Sequence, residues 1–219
     1  MSPVQNKKKL FWSDPTAIAR LVASLQQDQV SIVSTDTILG FLASLSKKSF
    51  EQLNMIKGSR QQKPYLILIG SYEQLDTFVD VSALDVGLKN VLHQCWPGPL
   101  TIVFKARPGL VAHLVSPDGT IAVRSPKHAG LQSVLTHFDG LFSTSANKSG
   151  EPVPVAADQL DPDVVKRVSF VVVDQEVDGS HDHEQPSTII DVSQIGKAKI
   201  VRSGAYSTDA LLSLGLQID

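Results

Sequence analysis

Cysteine is nearly missing from this chain: Cys95 is the single one in 219 residues. No intrachain disulfide can form, so the fold must be held by burial alone, and a reducing compartment suits it. Long apolar runs are missing too. No stretch approaches the roughly 18 apolar residues of a membrane-spanning helix. Lys7-Lys8-Lys9 leads only into Leu10-Phe11-Trp12 before Ser13-Asp14-Pro15 interrupts, which leaves no signal-peptide core. A cytoplasmic protein with no membrane attachment is the expectation. An excess of one charge is lacking as well. Lys+Arg is 20 against Asp+Glu 22, a formal net charge of −2. No global field therefore favours nucleic acid, although a local basic patch stays open. The G-x-x-x-x-G-K-[ST] spacing occurs nowhere, so a nucleotide must be held in another way. Internal repeats and low-complexity tracts are also absent.

What is present is apolar content of 42%, enough for a sizeable core. Residues 1–14 read as an N-terminal tail, 15–206 as one domain, and 207–219 as a C-terminal helix and tail. Ser13-Asp14-Pro15 starts a helix whose face is Ile18, Leu21, Val22 and Leu25. Further helices are expected over 49–56, 71–78 and 81–93, around Leu131, Val134 and Leu135, and over 209–216. Strands are expected over 30–33, 65–69, 100–105, 120–124, 140–142, 168–173, 187–191 and 198–202. Interspersed helices and strands imply an α/β fold: a twisted mixed sheet with flanking helices.

Polar groups collect where these strands end. Ser34-Thr35-Asp36-Thr37 follows the first strand, either as the rim of a ligand cleft or as a helix N-cap. Lys57-Gly58-Ser59-Arg60 with Lys63-Pro64 is either a phosphate-facing loop or a cationic helix terminus. Arg124 closes a strand, where its planar fork can take a carboxylate or a phosphate, and His128 reads as a helix-start residue. Gly140-Leu141-Phe142 is a short buried strand leaving into Ser143-Thr144-Ser145-Ala146-Asn147-Lys148-Ser149-Gly150. That run is either an anion-binding set of hydroxyls, carboxamide and backbone N–H groups, or a turn with local caps. Trp96 reads as a core anchor. His181 and His183, flanked by acids in the segment 178–184, are weak evidence for a metal, and no metal ligand is assigned.

Taken in order, these pieces resemble the YrdC-type threonylcarbamoyl-AMP synthase family over about residues 15–205. The pieces are Ser34 to Thr37, Lys57 to Pro64, Trp96-Pro97-Gly98-Pro99-Leu100-Thr101, Arg124-x-Pro126-x-His128, Ser143 to Gly150, Pro186 to Asp191 and Arg202-x-Gly204. The resemblance implies a YrdC-like sheet around a concave basic cavity and a nucleotidyltransferase reaction. L-Threonine, bicarbonate and ATP, with Mg²⁺, would give threonylcarbamoyl-AMP and pyrophosphate. The product would feed tRNA-modification proteins, with transfer RNA itself a candidate contact. It also implies roles. Lys57, Ser145 and Asn147 would be catalytic and hold nucleotide phosphates together with Arg202, while Arg60, Thr120 and Ser187 would be further ATP-binding groups. Thr35, Arg124 and Ser143 would hold threonine, with Arg124 on its carboxylate.

The chemistry fits such residues. Two anions, a carbamate and a triphosphate, must be brought together, which calls for cations and oriented donors more than for a nucleophile. No general base is implied. Several positions depart from the family pattern. Ser34 stands where a Pro is usual, and Leu39-Gly40-Phe41 replaces Tyr-Gly-Leu. Ser59 takes an Arg position with Arg60 one place late, Ile69-Gly70 replaces a His, and Val153 replaces a small hydroxyl residue. Two other readings are therefore carried: a paralogue adenylating a different carbamoylated amine, and a double-stranded or transfer RNA-binding module built on the same cations.

Overall fold

The computed structural model describes residues 9–58, 65–175, 185–194, 196–214 and 216. Among these, ten strands form one mixed sheet: β1 (Lys9–Phe11), β2 (Ser31–Val33), β3 (Gly40–Ser44), β4 (Leu66–Leu68), β5 (Leu100–Lys105), β6 (Thr120–Arg124), β7 (Leu141–Ser145), β8 (Val171–Val173), β9 (Thr188–Asp191) and β10 (Lys199–Arg202). Their spatial order is β1-β8-β2-β3-β7-β4-β6-β5-β9-β10. The central strand β7 runs antiparallel to both β3 and β4, whereas β4 and β6, and β5 and β9, are parallel. Six α-helices flank the sheet: α1 (Ala17–Gln26), α2 (Lys47–Lys57), α3 (Val86–Cys95), α4 (Ala129–Leu135), α5 (Pro162–Arg167) and α6 (Thr208–Ser213).

Successive residues of a strand point to opposite faces, and here most of both faces is buried. Ile32, Phe41, Ile67, Phe142, Val123, Ile102 and Ile190 lie in one core cluster with Leu53 of α2 and Val91 and Leu92 of α3. Their chain neighbours Val33, Leu42, Leu68, Leu141 and Val172 lie in a second cluster with Leu21 and Leu25 of α1 and Leu131, Val134 and Leu135 of α4. A sheet covered on both sides explains why β8 reads as an unbroken apolar run.

The cavity lies on the face that carries α1 and α4. Beyond the residues those helices cover, alternation presents Thr101, Ala122, Arg124, Ser143, Ser145 and Ile189 on that side, all of which line it. Apart from Leu66 and Ile189, small and polar residues replace the Val and Leu seen under the helices, so this part of the sheet has no continuous apolar layer to bury.

Four sequence expectations need correction. Residues 9–11, expected within a tail, form β1, which pairs in parallel with β8 while Leu10 is buried. A three-residue strand held by a partner far along the chain leaves no periodicity to detect. The expected helix over 81–93 is two elements. A 3-10 turn at Val81–Ala83 ends at Leu84, and Asp85 then caps α3 by accepting from Leu88 N at 2.8 Å. The hydroxyl run does not begin where its strand ends, because Ser143, Thr144 and Ser145 are the last three residues of β7. Finally, Ser34 to Thr37 is not a helix N-cap. It is the loop of the β2–β3 pair, closed by Thr35 Oγ1, which accepts from Thr37 N and Ile38 N. The expected boundaries of β5 and β6 hold, His128 caps α4 through Nδ1, and Trp96 is a core anchor whose Nε1 donates to Leu100 O at 2.7 Å.

Candidate functional site

The cavity has a volume of ≈ 270 Å³ and draws on seven strands and the β2–β3 loop. Of the residues expected at a site, Thr35, Arg124, Ser143, Ser145, Ser187 and Arg202 all line it. They come from positions up to 167 residues apart (202 − 35), joined only by the sheet order.

Lys57, the last residue of α2, reaches under this wall. It is 3% exposed, and its Nζ donates to Ser145 O at 2.9 Å and Asn147 Oδ1 at 3.4 Å. The ammonium also lies 5.7 Å from the centre of the Phe41 ring. Both hydrogen-bond acceptors are neutral, and burial pushes the lysine pKa down to about 8. A cation desolvated in this way gains from an arriving anion. Ser145 Oγ donates to Asn147 Oδ1, whose amide in turn donates to Glu151 O. The carboxamide is thus fixed as a bracket between lysine, serine and the following turn.

Arg202 lies at the opposite rim, at the end of edge strand β10. Its Nε and NH2 donate to Ser187 O at 3.1 and 2.8 Å, and NH2 also approaches Ser187 Oγ at 3.3 Å. Ser187 Oγ is 2.8 Å from Thr101 Oγ1. An irregular register between Ile200 and Arg202 re-aims the arginine relative to regular pairing with β9. Gly204 allows the close return of this segment, since a Cβ there would sit 2.2 Å from Pro186 O.

Arg124 is 2% exposed. Its NH1 donates to Thr37 Oγ1 at 3.1 Å, and its NH2 lies 3.4 Å from Asp36 Oδ1. Burial draws the guanidinium pKa down, Asp36 opposes that, and Arg202 adds to the lowering through like-charge repulsion. Thr37 Oγ1 and Thr35 Oγ1 are 3.0 Å apart, and Thr35 Oγ1 donates to Ile38 O at 2.9 Å. The Thr35 hydroxyl is therefore engaged in closing its own loop.

One expected residue falls elsewhere, and another is not among the described residues. Thr120 opens β6, is absent from the cavity wall and donates its hydroxyl to Asp118 Oδ1 at 2.7 Å; its place is taken by Ala122, two residues on. Arg60, like Lys63 and the histidines at 181 and 183, lies outside the described residues. Thr37, Thr101, Tyr65 and Gly40 line the cavity without having been singled out. Thr101 was detectable, because alternation along β5 puts it opposite the core residues Leu100 and Ile102. Tyr65, whose hydroxyl donates to Asn54 Oδ1 at 2.7 Å, gave no such signal.

Around the loop runs a second network. Trp12 Nε1 donates to Ser34 Oγ at 3.0 Å, Ser34 Oγ donates to Asp174 Oδ2 at 2.6 Å, and His128 Nε2 is 3.3 Å from Asp174 Oδ1. Ser34 thus makes bonds that a proline in its place could not.

Comparison with known proteins agrees with this architecture. The Sua5/YciO/YrdC family model, described as "Telomere recombination", matches residues 23–204. A Sodalis glossinidius protein named threonylcarbamoyl-AMP synthase is 30% identical over 164 residues, 74% of this chain and 85% of its own. The crystal structure described as P. abyssi Sua5 complexed with L-threonine superposes with a TM-score of 0.83 at 21% identity, over 97% of this chain. This chain covers only 62% of that longer protein. E. coli YciO superposes with a TM-score of 0.77 at 18% identity, over 93% of this chain and 98% of its own. Among the described residues no helix is long and apolar enough to cross a membrane.

Proposed function

Because the chain belongs to the Sua5/YciO/YrdC family, we propose that it is an L-threonylcarbamoyladenylate synthase, converting L-threonine, bicarbonate and ATP into threonylcarbamoyl-AMP and pyrophosphate. The observation that carries this reading is the meeting of Arg124, Arg202, Ser143 and Ser145 in one cavity with Lys57 behind its wall. Relatives named for this reaction support it.

Each group has a task in the reaction. The threonine amine takes up bicarbonate with loss of water to form a carbamate, a carbamate oxygen attacks the α-phosphorus, and pyrophosphate leaves. Lys57 and Arg202 supply the positive field that lets one anion approach another, with Ser145 and Asn147 fixing the lysine from the other side. Arg124 receives the threonine carboxylate, and Ser143 offers a hydroxyl beside it. Thr35 shapes the β2–β3 loop, and Ser187 holds Arg202. The residues orient the reactants and exclude water; none is positioned as a covalent nucleophile. Mg²⁺ bound with ATP would neutralise charge on the triphosphate. Among the described residues no cluster of three His, Cys, Asp or Glu could hold a metal, so the fitting arrangement is an ion carried by phosphate oxygens, with hydroxyls such as Ser145 and Thr101 as the protein's contribution. The product would pass to tRNA-modification proteins in the cytoplasm.

The decisive experiment is incubation of the pure protein with ATP, Mg²⁺, labelled bicarbonate and L-threonine. Threonine-dependent release of pyrophosphate is expected; no release, together with no ATP binding, rejects the reading. One observation keeps a second amine substrate in play. Ile69-Gly70 stands where the family pattern has a His, and Gly70 has its N–H tied to Gln74 Oε1 at 2.6 Å and offers no side chain. A screen of amino acids for stimulated pyrophosphate release separates the two. The RNA-binding reading is disfavoured, since Arg124, at 2% exposure, cannot reach a phosphate backbone on the surface.

A further inference from the structure

Arg124 and Asp36 form the most buried ion pair among the described residues, with side chains 3% and 8% exposed. Yet the pair is only half made. At 3.4 Å, Asp36 Oδ1 has no hydrogen-bond partner among the described residues, and neither does Arg124 Nε. The other oxygen, Oδ2, is held by the backbone N–H of Lys127 at 2.8 Å, which restrains the carboxylate from closing on the guanidinium. Arg124 itself is held by Thr37 through NH1. A guanidinium carries five N–H donors in a fixed fork, and among the described residues one of them finds a hydrogen-bond acceptor here. The result is a buried, cavity-lining cation beside a carboxylate tethered slightly too far away to satisfy it.

We propose that Asp36 is a positioning residue that stands in for the substrate's carboxylate: it keeps Arg124 oriented in the free protein and competes with the incoming carboxylate for it. This deepens the synthase reading and rests on Arg124 as the group that receives the ligand's carboxylate. Three observations support it. The Lys127 tether comes from the turn preceding α4, so the distance is set by the fold and not by Asp36 alone. The unpaired atoms Oδ1 and Nε are both buried, where an unmade hydrogen bond is costly and is kept only where something else will use it. And Asp36 is close enough to repel a second carboxylate, so the free protein binds such a ligand more weakly than Arg124 alone would.

The test compares the full-length wild type with Asp36→Ala and Asp36→Asn. Thermal unfolding is followed in sodium acetate and in sodium chloride of equal ionic strength, and L-threonine binding is measured by calorimetry. In chloride both variants should melt below the wild type. Acetate should raise their melting temperatures by about 3 °C or more beyond chloride while leaving the wild type within about 1 °C. L-Threonine should bind the variants about tenfold more tightly than the wild type. Asp36→Asn keeps an acceptor for Lys127 N and covers the case in which the alanine variant does not fold. The acetate comparison decides: an equal response in wild type and variants overturns the role given to Asp36. Failure of the synthase reading is separate, because it appears as absent pyrophosphate release from the wild type, whatever acetate does to the variants.

Discussion

Lys57 and Ser145 stand 88 residues apart, and the lysine ammonium donates to the serine carbonyl at 2.9 Å. The bond fastens the end of α2 to the end of β7, so one lysine serves both packing and charge. Its removal should separate the two. Lys57→Met replaces a buried cation with an apolar chain of similar length, a change that leaves stability roughly unchanged or improves it. ATP affinity should fall by about 10- to 100-fold with the loss of a charge-assisted contact. Calorimetry with ATP and a thermal melt on the same sample check both halves, and unchanged ATP affinity would remove Lys57 from the site.

The same lysine predicts a pH dependence. Its folded pKa, about 8, lies below the ordinary lysine value of 10.5. Between those values the unfolded chain binds more protons than the folded one, so this group makes stability rise with pH across that window. ATP binding should run the other way, weakening above about pH 8 as the ammonium is lost. Titrations of ATP between pH 7 and 9 should show that decline in the wild type and a flat profile in Lys57→Met.

Arg202 sits on an edge strand with its guanidinium on Ser187. Arg202→Ala removes no buried apolar contact, so the melting temperature should stay within a few degrees, while ATP affinity falls by about tenfold. Ser145→Ala should act similarly, because its hydroxyl braces Asn147 and the backbone carbonyl held by Lys57 remains. Fluorescent-ATP titration measures both; full affinity in either variant would contradict the placement of that residue.

Gly204→Ala is expected to damage more than its size suggests. The added Cβ would meet backbone at 2.2 Å from Pro186 O and 2.7 Å from Ser187 C, and backbone cannot swing aside. The segment must shift, moving Arg202 and Ser187 together. A stability loss of about 1–3 kcal/mol is expected in urea melts, with weakened ATP binding; a variant with wild-type stability would mean that the return of β10 is looser than drawn.

Sequence periodicity recovered β5 and β6 to the residue because each alternates between a core face and a cavity face. It misplaced the start of the hydroxyl run, since Ser143 and Ser145 look like loop residues until β3 and β4 are known to pair on either side. The cations were found because an arginine or lysine at the end of an apolar element is conspicuous. Asp36 and Thr37 were seen only as part of a polar rim, because their partner Arg124 is 87 residues from Thr37 and nothing local announces the contact. Thr120 opens the strand whose next alternate residues, Ala122 and Arg124, line the cavity, so it shares their face but lies outside the wall.

The β7 strand carries two cavity hydroxyls while hydrogen-bonded on both flanks in the middle of the sheet. Its amide protons should therefore be among the last to exchange with deuterated solvent, and ligand should change them little. The arginine at the far rim hangs from a terminal strand with one neighbour. Any reshaping that accompanies catalysis would then be borne by the outer wall, against a bed that is already rigid.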